Sequence, residues 1–137
     1  MNYIVNKNLT DIERYIREEV FVREQGFINE IDDLEDSSFH LLYRYINNYV
    51  ACSRFYELKD DVYKLGRVAV LKEYRNKRIG TLMMECVFEY LRLLGAKTII
   101  VHSQIQAQEF YKKNGFIVKG DIFLEENYPH IEMIKEL

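Results

Sequence analysis

The chain has 137 residues, 48% of them hydrophobic and 30% charged, the size and composition of one globular domain that buries its core without a metal or disulfide staple. Its net charge of −3 argues against a general nucleic-acid binder. The first residues lack the long apolar stretch of a signal peptide, and no apolar run approaches the ~20 residues of a membrane span, so a cytoplasmic protein is expected.

Tyr3-Ile4-Val5 is a short strand candidate. Thr10 with Glu13 forms a capping box, in which the Thr10 hydroxyl and the Glu13 carboxylate satisfy the first N–H groups of a helix. That helix carries Ile12, Tyr15, Ile16, Glu19 and Val20 at helical spacing and runs to about Arg23, before Gly26. Residues 27–37 read as an acidic loop. From Glu24 to Asp36 the chain holds Glu24, Glu30, Asp32, Asp33, Glu35 and Asp36 and no Lys or Arg. Such a run is either a solvated loop or a surface that attracts a cation.

Strands over 39–46 and 49–58 flank Asn47-Asn48, two residues that tolerate the positive φ of a tight hairpin turn. Lys59-Asp60-Asp61 makes the next turn, into a strand over 62–71. Ile79, Leu82, Met83, Cys86, Val87, Tyr90, Leu91 and Leu94 then hold an unbroken helical stripe, which Gly95 ends. A short apolar strand over 98–101 belongs in the middle of a sheet. A helix over 107–114 stops at Gly115, and strands over 116–119 and 130–134 follow, with Pro129 where a missing N–H does least harm. The order β-α-β-β-β-α-β-α-β-β predicts an α/β (α+β) architecture, a mixed sheet flanked by helices.

Cys52 and Cys86 are too few and too far apart for a zinc framework, and Cys86 falls on the apolar helix face. His40, His102 and His130 are not at metal-ligand spacing, so no metal is expected.

One stretch carries more chemistry than the rest. Val68, Ala69 and Val70 end a β-like run that passes through Arg75, Asn76, Lys77 and Arg78 into a helix beginning Ile79-Gly80-Thr81. The orphan N–H groups and positive dipole end of that helix favour an anion such as a pyrophosphate. Basic side chains at a helix start are disfavoured by roughly 0.3–1 kcal/mol each, a cost that a bound anion relieves. The stretch is neither a Walker A loop nor a Rossmann fingerprint. As an ordinary strand–helix connection it would need no ligand.

Downstream, Ala107-Gln108-Glu109-Phe110-Tyr111-Lys112-Lys113-Asn114-Gly115-Phe116 resembles the Ala-x-x-Phe-Tyr-x-x-x-Gly-Phe signature of the GNAT acetyltransferase superfamily. Arg75-Asn76-Lys77-Arg78-Ile79-Gly80 then looks like that family's pyrophosphate loop, and the element order matches its fold over essentially the whole chain. Val20-Phe21-Val22-Arg23-Glu24-Gln25, His102-Ser103-Gln104 and Pro129-His130-Ile131-Glu132-Met133 resemble the ElaA/YjcF-like branch. Arg78 departs from the pattern, standing where the family usually has Gly. A helical Arg78 would keep its N–H donation and add a guanidinium contact to phosphate, and that conformation is expected over a left-handed one.

The resemblance implies an N-acetyltransferase that moves an acetyl group from acetyl-CoA to a primary amine in a ternary complex. The loop 75–81 would anchor the pyrophosphate, and the backbone of Val68, Ala69 and Val70 would pair with the pantetheine arm and polarise the thioester. Tyr111 would be the acid that protonates the departing thiolate, although Phe-Tyr pairs also simply pack. The amine must lose a proton, and Glu24, Asp36, His40, His102, His130 and Glu132 could take it; Glu24 and Gln25 are also candidates for the acceptor site. The acceptor is expected to be a small amine or a peptide amine, with no nucleic-acid or membrane partner, and a homodimer is left open. Two other readings stand beside this one: an acyl-CoA-binding sensor of the same fold without turnover, and a nucleotide-binding regulator using the same anion site.

Overall fold

The structure is a computed structural model that describes residues 2–137. Strands β1 (Tyr3–Asn6), β2 (Phe39–Tyr45), β3 (Asn48–Lys59) and β4 (Val62–Val70) form an antiparallel meander. Helix α2 (Ile79–Leu93) crosses back to place β5 (Thr98–Gln104) parallel to β4. Helix α3 (Gln108–Lys113) follows, and β8 (Tyr128–Glu136) then pairs antiparallel with β5. Two short strands, β6 (Ile117–Val118) and β7 (Phe123–Glu125), pair with β8, giving an 8-stranded mixed sheet in the order β1-β2-β3-β4-β5-β8-β6. The expected mixed α/β sheet is therefore the observed one.

Period-two alternation sends neighbouring side chains to opposite faces. Phe39 and Phe55 meet Tyr90 of α2, with ring centroids 5.8 and 5.9 Å apart, whereas His40 and Arg54 point to the other face. The α2 face is apolar: Ile79, Met83, Met84, Val87, Phe88 and Leu91 are buried there against the strands. Leu82 and Leu94 of the predicted stripe lie at its exposed edge, and Cys86 is half-buried while Cys52 is fully buried.

The first helix departs from its sequence pattern. It is α-helical over α1 (Asp11–Arg17) and widens into a π-helix over Glu18–Glu24. Ile12 and Tyr15, expected on the buried face, are 46% and 57% exposed, while Glu13 and Arg17 are fully buried. Charge pairing overrides hydrophobic periodicity here. Thr10 does cap the helix, accepting from the Glu13 N–H at 3.3 Å, but the Glu13 carboxylate turns inward to Arg17 and His40 instead of closing the box.

The β2–β3 turn also shifts by one residue. Tyr45 pairs with Asn48, so the turn is Ile46-Asn47 and the positive φ (59°) falls on exposed Ile46, not on an asparagine. Between the expected strands over 116–119 and 130–134 the structure adds β7 and a tight hairpin turn, with Glu126 and Asn127 at φ 52° and 66°. Among the described residues no helix is long and apolar enough to cross a membrane.

Candidate active site

The site begins with a fault in the sheet. Between Cys52↔Ala69 and Arg54↔Gly66 the β3–β4 register slips, and Arg67 sits in the bulge at φ 50°. On the other side β4 pairs with β5 only through Val62, Tyr63, Lys64 and Leu65; beyond Leu65↔Val101 the strands separate. Ala69 and Val70 therefore have partners in β3, Val68 lies within the slip, and none of the three pairs with β5. The Leu71 N–H donates to the Val50 carbonyl at 2.9 Å, so the Val70 carbonyl in the same peptide unit points away from β3, into the split.

One end of the split meets the start of α2. The first helical bond runs from the Leu82 N–H to the Arg78 carbonyl, 3.0 Å, leaving the N–H groups of Ile79, Gly80 and Thr81 without intrahelical partners. Arg78 is the N-cap in the left-handed region (φ 63°), with no side-chain cap bond, and Asn76 shares that φ. The helical conformation expected for Arg78 is thus corrected: the position needs positive φ, and Arg carries the conformational cost that Gly would avoid. Asn76, Lys77 and Arg78 are exposed, while buried Ile79 anchors the turn to the core. Arg75 is occupied: its Nε donates to the Val70 carbonyl at 2.9 Å, and its Nη atoms donate to both Glu24 carboxylate oxygens at 2.9 and 2.7 Å. Hydrogen bonding to Arg75 holds Glu24 below the usual carboxylate range. Glu24 thus braces the strand–helix turn and is not turned toward an acceptor.

Beyond the split lies a cleft of about 250 Å³. Tyr111 borders it, its ring set edge-on against Phe110 and Phe116 at centroid distances of 5.2 and 5.4 Å. Burial pushes its phenol well above the ordinary value of 10, so it stays protonated through the working pH range. On the facing wall, His102 Nδ1 lies 3.0 Å from Glu125 Oε1, His102 Nε2 lies 3.3 Å from Glu132 Oε1, and His130 Nε2 is 3.7 Å from Glu125 Oε2. The His102 hydrogen bond holds Glu125 below the usual carboxylate range, against the opposing effect of burial. His130 Nδ1 donates to the Tyr128 carbonyl at 2.8 Å, which leaves Nε2 as the nitrogen turned toward Glu125.

His102, His130 and Gln25 of the candidate acceptor residues border this cleft, whereas Asp36 and His40 do not. Asp36 is exposed on a 3₁₀ turn over Glu35–Ser37. Fully buried His40 has both ring nitrogens against acceptors, Glu13 Oε2 at 2.9 Å and the Glu35 carbonyl at 2.8 Å. The acidic run is only in part a solvated loop: Asp33 and Asp36 are exposed, whereas Glu30 and Glu35 are buried. Arg17 donates to Glu13, Glu30 and Glu35 at 2.6–3.0 Å, and Arg54 grips both oxygens of Asp32 at 2.6 and 2.8 Å. Glu30, Asp32 and Glu35 are thus spent on arginines, Arg67 being the third, and Glu24 is held by Arg75; only exposed Asp33 and Asp36 remain to draw in a cation.

Glu125 was not singled out from the sequence. The available signal was Glu-Glu-Asn-Tyr before Pro129, a turn whose Asn tolerates positive φ and which folds Glu125 back beside His130.

A mixed sheet split between two parallel strands, with a helix N-terminus at one end and a buried tyrosine at the seam, defines the class of acyl-CoA N-acyltransferases. Residues 12–137 match the family described as "Acetyltransferase (GNAT) domain", and the chain belongs to that family, in its ElaA/YjcF-like branch. It is 36% identical to the uncharacterized N-acetyltransferase YjcF of Bacillus subtilis, an alignment covering 99% of this chain and 100% of YjcF. The crystal structure of Escherichia coli ElaA superimposes with a TM-score of 0.83 at 25% identity, over 99% of this chain and 100% of that one. An acyl-CoA N-acyltransferase from Pseudomonas aeruginosa does so with a TM-score of 0.81 at 25% identity, over 97% of each chain. The protein is accordingly an acyltransferase that depends on acetyl-CoA.

Proposed function

We propose that the chain acetylates a primary amine by direct attack on acetyl-CoA, both substrates being bound at once. The observation that carries this reading is the split between β4 and β5, which opens at one end onto the α2 N-terminus and at the other onto the His102–Glu125–His130 wall. The N–H groups of Ile79, Gly80 and Thr81, with Lys77 and Arg78 beside them, suit a pyrophosphate. The edge of Val68, Ala69 and Val70 that β5 leaves uncovered suits an extended pantetheine arm, although Arg75 already holds the Val70 carbonyl.

In this mechanism the ammonium loses its proton to the Glu125–histidine cluster, and the freed nitrogen attacks the thioester carbonyl carbon. A β4 N–H donates to the developing oxyanion. The C–S bond then breaks, Tyr111 donates its proton to the departing thiolate, and the second proton of the acylated nitrogen passes back to the tyrosinate. A phenol with a raised pKa is a poor acid in water. In the same dry pocket the thiolate is also more basic, so the two stay matched closely enough for a short hydrogen bond to carry the proton. No cysteine is set up for a covalent intermediate: burial pushes the Cys52 thiol well above its ordinary value and raises Cys86 too.

Initial rates with acetyl-CoA and amine both varied test this reading. Intersecting double-reciprocal lines with CoA release are expected. Parallel lines, or an acetylated protein in the mass spectrum without amine, would exclude direct transfer. Binding of acetyl-CoA with no thiol release by any amine would favour the non-catalytic reading.

A further inference from the structure

Two cations in the cleft keep donors that none of the described residues uses. Lys64, half-buried on β4, makes no ion pair and no side-chain hydrogen bond among the described residues, although its charge helps hold Glu125 ionised. Arg67 spends Nε and Nη2 on the Glu30 carbonyl, at 3.1 and 2.7 Å, and Nη2 also reaches Asp32 at 3.3 Å, but Nη1 donates to no described residue. Between them lies Gly66, where an added Cβ would meet nothing within 4 Å, so the floor is open. Burial disfavours the Arg67 charge, as do its neighbours Arg54 and Arg17, while Glu30 and Asp32 favour it. The nearby acids Asp32, Glu30 and Glu35 are already held by Arg54 and Arg17.

The cleft is also bridged. The Tyr128 hydroxyl donates to the Gln25 carbonyl at 2.9 Å, the Phe27 and Tyr128 rings sit 4.6 Å apart, and Gln104 donates to the Gln25 side chain at 2.9 Å. These contacts tie the end of the π-helix to the β7–β8 hairpin and to β5 beside the cleft. A bridge of this kind disfavours an extended peptide and leaves room for a small molecule.

We propose that the acceptor is a small primary amine that also carries an anionic group, held by Lys64 Nζ and Arg67 Nη1 while its amine faces Glu125. Opposite charges bordering one cleft then orient a small zwitterion and favour it over simple amines, which give Lys64 Nζ and Arg67 Nη1 no acceptor. This proposal rests on the amine-acetylation reading.

Thiol release from acetyl-CoA is measured with matched acceptors: β-alanine and γ-aminobutyrate, phosphoethanolamine, and propylamine and butylamine as uncharged-tail controls. The carboxylate or the phosphate series is expected to exceed the plain amines about tenfold or more in kcat/KM, and the better arm names the anion. The Lys64→Met variant should raise the acceptor KM about tenfold, with kcat and the acetyl-CoA KM little changed, and Lys64→Arg should restore it. Equal use of plain amines, or an acceptor KM unmoved in Lys64→Met with an unchanged melting temperature, overturns the proposal. Calorimetric titration of β-alanine, phosphoethanolamine and propylamine into the CoA-loaded protein reads the preference without chemistry. Preferential binding of an anionic member without turnover counts against the acetylation reading and supports the anion grip; no preference overturns the grip.

Discussion

The Phe110 ring fills the space that a side chain at Gly80 would need: a Cβ built there lies 2.9 Å from Phe110 Cε1 and 3.3 Å from Cζ. Through this contact the turn that opens α2 and the segment that carries Tyr111 are set against each other. Gly80→Ala should push the ring aside and misplace both. Overpacking of this kind costs about 1–3 kcal/mol, so a lower melting temperature is expected together with a raised acetyl-CoA KM. An unchanged KM would mean that the two segments are not coupled. Arg78→Gly, at φ 63°, should by contrast leave stability nearly unaltered, because relief of the left-handed strain and the greater freedom of unfolded Gly offset each other.

Arg17 is fully buried and donates to three carboxylates from three parts of the chain. Removing one partner from a buried ion cluster is far worse than never having built it, since the remaining charges stay desolvated with no partner to offset that cost. Arg17→Met should destabilise by about 3–5 kcal/mol. Chemical denaturation measures this, and a loss below about 1 kcal/mol would contradict the cluster's role.

The same cluster sets a pH window. Burial opposes a charged His40, but the hydrogen bonds to Glu13 and to the Glu35 carbonyl outweigh it and raise the pKa above 6.5. Protonated His40 also balances the cluster, with Arg17, His40, Arg54 and Arg67 against Glu13, Glu30, Asp32 and Glu35. Its contribution is fully present below 6.5 and is lost as pH rises through the folded value. Burial likewise opposes ionised Asp32 and Glu35, but Arg54 takes Asp32 down to about 2, and Arg17 lowers Glu35 from 4.5. Their contributions are present above their unfolded values of 3.8 and 4.5 and are lost as pH falls through the folded ones. The melting temperature should therefore be highest between about pH 4.5 and 6.5. His40→Gln should flatten the alkaline side of that maximum and leave the acid side.

Tyr111→Phe keeps the ring packing and removes only the hydroxyl. The expected outcome is a fall in kcat of about 10²-fold, with the acetyl-CoA KM and the melting temperature nearly unchanged. Because burial raises the phenol pKa well above 10, the kcat profile should show no loss from Tyr111 up to that pH. Unchanged turnover in the variant would remove its role as acid.

Glu125→Gln keeps the shape of the cleft wall but ends the charge between His102 and His130. The acceptor kcat/KM should fall about 10²-fold, and its acid limb should move in pH. A purely structural role would lower stability and leave the pH profile where it was.

The order of strands and helices and the apolar stripe of α2 were legible in the chain, because hydrophobic period, caps and turn residues are local properties. So was the junction from Val68 to Thr81, whose spacing puts a strand end, a basic turn and a helix start in succession. Local pattern failed where partners are distant. Glu13 and Arg17 look like solvent-facing residues of an amphipathic helix, yet they are buried, because Glu30, Glu35 and His40 come from later segments to meet them. Arg78 looked helical by position, but the turn geometry requires positive φ. Arg75 looked like a free cation until Glu24, 51 positions earlier, was found on it. What the sequence by itself determined is the fold and the strand–turn–helix junction from Val68 to Thr81. The tertiary structure alone decided which charges are spent on each other and which, like Lys64 and Glu125, border the cleft. Pairing depends on distances that no local pattern encodes.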